Sequence, residues 1–219
     1  MNVRYLVEEI GDIELRSVII VQHCQSEHHV NEMSGGWTDT PLTEFGREQA
    51  RAVAARVKML TEGENYALLS SDLLRASQTA ELIAEQTDIS VELDSGLREI
   101  NTGVAAGKTK EWANQHRNAR TTPHFSIDYR EYEGGESWRE FYQRICDCMD
   151  RLWGEKNGNL LLVSHGCAIG CMIAWWMQFT PEMLEKAYFG ASPGSLSMLT
   201  ESKFGQHALT ALNDTTHLK

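Results

Sequence analysis

Apolar and polar residues follow two distinct periods along the chain, and the switches between them outline alternating strands and helices. Residues 17–21 and 159–163 are short aliphatic runs stopped by polar residues. Unbroken runs of this kind predict strands buried on both faces. Between them, residues 43–60 carry Ala50, Val53, Ala54 and Val57 at helical spacing, with Thr43 as the cap after Pro41. Tyr66–Ser70 predicts a second strand, residues 74–85 a helix with Ala76, Ala80 and Ile83 inward, and residues 89–93 a third, short strand. Trp138, Phe141, Tyr142, Ile145, Met149 and Leu152 mark a strongly amphipathic helix. The strand ending at His165 comes next, then a helix to about Gln178. Residues 195–200 and 206–212 alternate like two edge strands.

Residues 107–135 are polar and irregular, with one weak helical stretch over 110–117. They are expected to form an insertion roofing the crevice. The pattern predicts one domain over residues 1–219, an α/β fold in three layers (α/β/α) around a mostly parallel sheet.

Composition narrows the function classes. At 219 residues and 42% hydrophobic, the chain can bury one substantial core. A net charge of -11 argues against nucleic acid or an anionic membrane as partner. No apolar run reaches transmembrane length, and residues 1–10 carry acids where a secretory signal would have its apolar core. Five cysteines without framework spacing read as reduced thiols, so the expected location is the cytoplasm.

Both buried runs end in a histidine, His23 and His165. In open α/β sheets the binding crevice lies beyond the carboxyl ends of the strands, so the two imidazoles are expected to meet there. A polar cluster, Ser70 to Ala80, follows the second strand. Its Arg75 opens a helix whose N-terminal N–H groups suit an anion. After the third strand comes Leu97-Arg98-Glu99-Ile100-Asn101-Thr102-Gly103.

Together these segments resemble the histidine phosphatase superfamily, also called the phosphoglycerate mutase-like family. Its first motif is Arg-His-Gly, then Glu or Gln, then Ser or Thr; here the stretch reads Gln22-His23-Cys24-Gln25-Ser26. Gly36-Trp37, Pro41-Leu42-Thr43-Glu44 with Gly46-Arg47, Leu97-Arg98-Glu99, Gly134-Gly135-Glu136-Ser137 and Ser164-His165-Gly166 match in order. The tail Leu212 to Leu218 is similar to that of phosphatase-type members. The resemblance implies a phosphoglycerate mutase-like fold and cofactor-independent hydrolysis of a small phosphorylated metabolite; His23, Cys24, His28 and His29 are metal-ligand types, but no second cluster at zinc spacing accompanies them, so no metal is expected. It makes His23 the phosphoryl acceptor, Glu99 the acid and base, and His165 a stabiliser of the transition state. Phosphate contacts would come from Gln22, Gln25, Ser26, His29, Arg75 and Gly166. A homodimer is a further expectation.

The chain departs from that family where phosphate is held. Gln22 stands in the place of the motif arginine, Cys24 in that of its glycine, His29 where asparagine is usual and Met33 where arginine is frequent. A hydrogen bond to a charged group contributes roughly 1.5–3 kcal/mol. Losing two would weaken transition-state stabilisation roughly 10²–10⁴-fold. A protonated His28 or His29 would restore charge, and activity would then rise as pH falls through about 6.5. Two alternatives follow: a weak or repurposed family member that binds an anionic ligand or a partner, and a phosphoglycerate mutase.

Overall fold

The computed structural model describes residues 15–218, so the reading of residues 1–10 lies outside the described residues. The elements run β1 (Ser17–Gln22), α1 (Glu27–Val30), α2 (Glu44–Thr61), β2 (Tyr66–Ser70), α3 (Leu74–Thr87), β3 (Val91–Leu93), α4 (Lys110–Gln115), α5 (Trp138–Glu155), β4 (Asn159–Ser164), α6 (Gly166–Trp176), β5 (Leu196–Glu201) and β6 (His207–Asp214). Six strands form one sheet in the order β3-β2-β4-β1-β5-β6. The first four are mutually parallel, and β5 and β6 run antiparallel to their neighbours.

Side-chain alternation along the strands separates two apolar layers. Ile19, Val21, Leu68, Leu161 and Val163 pack with Ala50, Val53, Ala54 and Val57 of α2 and Ala76, Ala80 and Ile83 of α3. Val18, Ile20, Leu160 and Leu162 pack on the opposite face with Phe141, Ile145 and Met149 of α5 and Ile169, Met172 and Ile173 of α6. Both faces of β1 and β4 are thus covered, which is why their sequences read as continuous apolar runs.

Three expectations are corrected. Only β6 is an edge strand at its end of the sheet, because β5 pairs with β1 on one side and β6 on the other. The Glu27–Val30 turn of helix interrupts what reads as loop. Residues 107–135 contribute α4 but no side chain to the cavity described below.

Register places the site. Gln22 of β1 pairs with Ser164 of β4, so the next residues, His23 and His165, emerge side by side. Gly46 explains how α2 sits so close behind them: a Cβ there would fall 1.9 Å from the Gln25 carbonyl oxygen. Gly46→Ala is accordingly excluded without displacing the His23 loop.

Candidate active site

His23 and His165 lie with ring centroids 5.0 Å apart, and both are buried. The His23 Nδ1 sits 2.8 Å from the Cys24 carbonyl oxygen. A carbonyl only accepts, so Nδ1 carries the proton and Nε2 holds a lone pair. Arg75 donates its Nε–H to that Nε2 at 3.1 Å. The same guanidinium donates to the carbonyls of Thr38 at 2.7 Å and Gly36 at 2.8 Å. Three of its five N–H groups are used, and two remain for a ligand. Gly36 adopts φ +62°, and a Cβ there would collide with Thr102 and the Ile100 carbonyl, so this part of the arginine cradle requires glycine.

Glu99 is held at the start of α6. Its Oε2 accepts the Cys167 N–H at 3.0 Å and its Oε1 accepts the Ile100 N–H at 3.0 Å. The backbone of Glu99 is fixed in turn by Trp37 Nε1–H at 2.7 Å and by Arg144 at 3.0 Å, itself ion-paired to Glu136 at 2.7 Å. The matched Gly-Trp and Gly-Gly-Glu-Ser segments therefore serve as scaffold for the acid loop. Burial raises the Glu99 pKa, opposed by the N–H groups of Cys167 and Ile100 and by Arg75.

These side chains face a cavity of about 310 Å³, lined in part by Gln22, His23, His28, His29, Arg75, Glu99 and Gly166. His29 stacks on His23 at 5.5 Å and 13°. Its Nδ1 accepts the Ser26 N–H at 3.1 Å, which leaves the proton on Nε2 as a neutral donor. Gln22 is buried with its Oε1 unpartnered, beside Gly166. His165 accepts or donates at Ser71 Oγ through Nε2, 2.8 Å away, and its Nδ1 has no partner among the described residues.

Four sequence expectations change. Gln25 and Ser26 do not line the cavity. Gln25 accepts from Thr43 Oγ1 at 2.7 Å and secures the start of α2, and Ser26 Oγ meets His28 Nδ1 at 2.8 Å. The α3 N-terminus is not an open anion site, because Asp39 accepts the Leu74 N–H at 2.7 Å. The histidines do not supply the missing charge. Burial, then His29 and Arg75, lower His28 to about 3, and burial followed by Arg75 lowers His29.

Cys24 is buried against Thr79 and Gly194, away from the cavity, and burial pushes its thiol to about 12. Cys167, Trp138, Leu184, Tyr188, Phe189, Gly190 and Ala191 also line the cavity and were not foreseen, and His28 lines it beside His29.

Burial, followed by Arg75, holds His23 and His165 well below the ordinary imidazole pKa. Below about pH 6.5 the unfolded chain binds protons that these two folded imidazoles refuse, so stability falls as pH falls through that range. Each contributes a slope approaching 1.4 kcal/mol per pH unit, about the cost of one proton. Denaturant titrations of wild type and His23→Asn between pH 7.5 and 5 should show the variant losing about one proton's share of that slope. An unchanged slope would show that His23 titrates normally.

The family profile of the histidine phosphatase superfamily (branch 1) matches residues 18–215. The chain belongs to that superfamily. The probable phosphoglycerate mutase GpmB of Escherichia coli is 34% identical over 160 residues, covering 72% of this chain and 73% of that protein. A mycobacterial glucosyl-3-phosphoglycerate phosphatase in complex with VO3 is 26% identical, with a TM-score of 0.76 over 91% of this chain and all of that one. The α-ribazole phosphatase of Shigella flexneri, 23% identical over 90% of this chain and 96% of its own, shares the fold with a TM-score of 0.73. As a histidine phosphatase superfamily member the chain has the mixed six-stranded α/β architecture of these structures. Among the described residues no helix is long and apolar enough to cross a membrane.

Proposed function

We propose that this histidine phosphatase superfamily member hydrolyses a phosphomonoester in the cytoplasm, through a phosphohistidine on His23. The observation that carries the reading is the His23 tautomer: Nδ1–H is spent on the Cys24 carbonyl, and the Nε2 lone pair accepts only the Arg75 Nε–H, a donor that turns to the phosphoryl oxygens when Nε2 attacks. A neutral imidazole held this way is a nucleophile at pH 7 and below. Nε2 attacks phosphorus, the N–P bond forms, and the P–O bond to the alcohol breaks. Protonated Glu99 gives the leaving oxygen its proton, then takes one from the water that attacks phosphorus and releases His23. Arg75, Gln22 and the proton on His29 Nε2 offer donors to the equatorial oxygens. With Ser71 donating to Nε2, His165 carries its proton on Nδ1 and adds another. Free thiols at all five cysteines fit a reducing compartment.

Two other readings have specific support. Gln22 in place of a motif arginine favours a weak or repurposed anion binder. The name of the Escherichia coli relative favours a phosphoglycerate mutase. Arg75 is the one cation among the cavity-lining residues, however, and a doubly phosphorylated intermediate asks for more.

Hydrolysis of nitrophenyl phosphate, with vanadate as inhibitor and His23→Ala as control, tests the reading. Activity that vanadate abolishes and the variant lacks supports it, whereas background rates across a panel of phosphate esters would end it. Gln22→Arg supplies the fork that the amide lacks, and one recovered charged contact should raise kcat/KM for aryl phosphates about 10-fold or more. A folded Gln22→Arg protein that leaves aryl phosphate hydrolysis at background would point to a pocket rebuilt for another ligand.

A further inference from the structure

The cavity lining falls into two chemically different groups. Imidazoles, Gln22, Arg75 and Glu99 form one; Trp138, Leu184, Tyr188, Phe189 and Ala191 form the other. Among the described residues Arg75 and Glu99 are the only charged side chains that line the cavity, and both are engaged, Arg75 with His23 and the Gly36 carbonyl and Glu99 with the Cys167 N–H. Lys110, the cation whose charge reaches His28 and His29, is paired with Glu32, and Arg130 and Arg139 are paired with Glu140, Asp128 and Glu182.

Three aromatic residues belong to the apolar group. Trp138, the first residue of α5, packs edge-on against Phe125 at 5.4 Å and Phe141 at 5.7 Å. Phe189 packs against Phe179 at 5.7 Å. Its backbone is brought in by Gly170 of α6, where a Cβ would fall 2.8 Å from the Phe189 carbonyl oxygen. Tyr188 is 86% exposed and also lines the cavity.

A carboxylate or a polyhydroxylated alcohol placed against this wall would give up water without gaining a partner. A flat apolar group would bury area and stack on rings. We propose that Trp138, Leu184, Tyr188, Phe189 and Ala191 form the leaving-group subsite and select monophosphates of uncharged aromatic alcohols. The proposal rests on the phosphomonoesterase reading for its chemistry, and its binding preference stands apart from that reading.

Comparing naphthylmethyl phosphate with glycerol 1-phosphate and 3-phosphoglycerate isolates the wall, because the first two alcohols leave with similar difficulty. The aromatic ester should have the higher kcat/KM by roughly 10-fold or more, mostly in KM. Tyr188→Ala, at an exposed position that folding does not need, should narrow the ratio of kcat/KM between naphthylmethyl phosphate and glycerol 1-phosphate by roughly 3-fold to 10-fold. Equal or better turnover of 3-phosphoglycerate or glycerol 1-phosphate would overturn the proposal and leave the phosphatase reading intact. Calorimetry with naphthylmethylphosphonate against methylphosphonate reads the same preference without catalysis. Tighter binding of the aromatic phosphonate in a protein that hydrolyses no ester would keep the subsite and end the phosphatase reading. Equal binding of the two phosphonates would overturn the subsite.

Discussion

Replacing His23 by alanine is expected to cut kcat/KM for any substrate ester by roughly 10⁴-fold or more, the scale seen when a covalent nucleophile is removed. Two of the other imidazoles at the site each have a ring nitrogen committed. His29 has its Nδ1 on the Ser26 N–H, and His165 is wholly buried with Nε2 on Ser71. The loss should fall on kcat, because Arg75 keeps its bonds to the Thr38 and Gly36 carbonyls and so keeps its place. Steady-state assays on nitrophenyl phosphate and on an alkyl phosphate would both show it. A fall of less than about 100-fold in a folded variant would mean that water attacks phosphorus directly, with His23 only lending a hydrogen bond.

Glu99→Gln carries the second large effect, and its size should depend on the leaving group. General acid catalysis contributes about 10²–10⁴-fold where the departing oxygen needs a proton. Alkyl phosphates should slow by that amount, while a nitrophenyl ester, which leaves as a stable anion, should slow far less. The ratio between the two substrates is the informative quantity. Both Glu99 oxygens accept backbone N–H groups, so an amide also sets one donor against another and disturbs placement. That disturbance acts on both substrates alike. Equal slowing would remove Glu99 from proton transfer and leave it as an anchor for the α6 N-terminus.

Much of the scaffold was legible because burial on both faces leaves its mark on sequence. The apolar runs of β1 and β4 placed His23 and His165 at the end of the sheet, and the ordered motifs placed Arg75 and Glu99 beside them. What failed to show depends on contacts between distant segments. Leu184 to Ala191 has no period of its own, and Gly170 is what lets it close on α6 to make the apolar wall. Residues 107–135 looked like a roof because they are polar and irregular, yet none of them lines the cavity: the Lys108 carbonyl accepts the Ser34 N–H, Trp112 joins Ala105 and Tyr132, and Phe125 only backs Trp138. Gln25 and Ser26 match the motif, but their side chains are turned to Thr43 and His28 by the approach of α2. The neutral state of His28 and His29 was invisible for a similar reason, since it arises from burial and from Arg75, a residue more than forty positions away.

The central claim is the covalent bond between His23 Nε2 and phosphorus, and trapping it is the most direct test. Rapid quench of the protein with a labelled phosphate ester should yield an acid-labile, base-stable adduct on His23 that is formed faster than turnover and is missing from His23→Ala. A label recovered on His165, or turnover with no adduct on any histidine, would contradict the account.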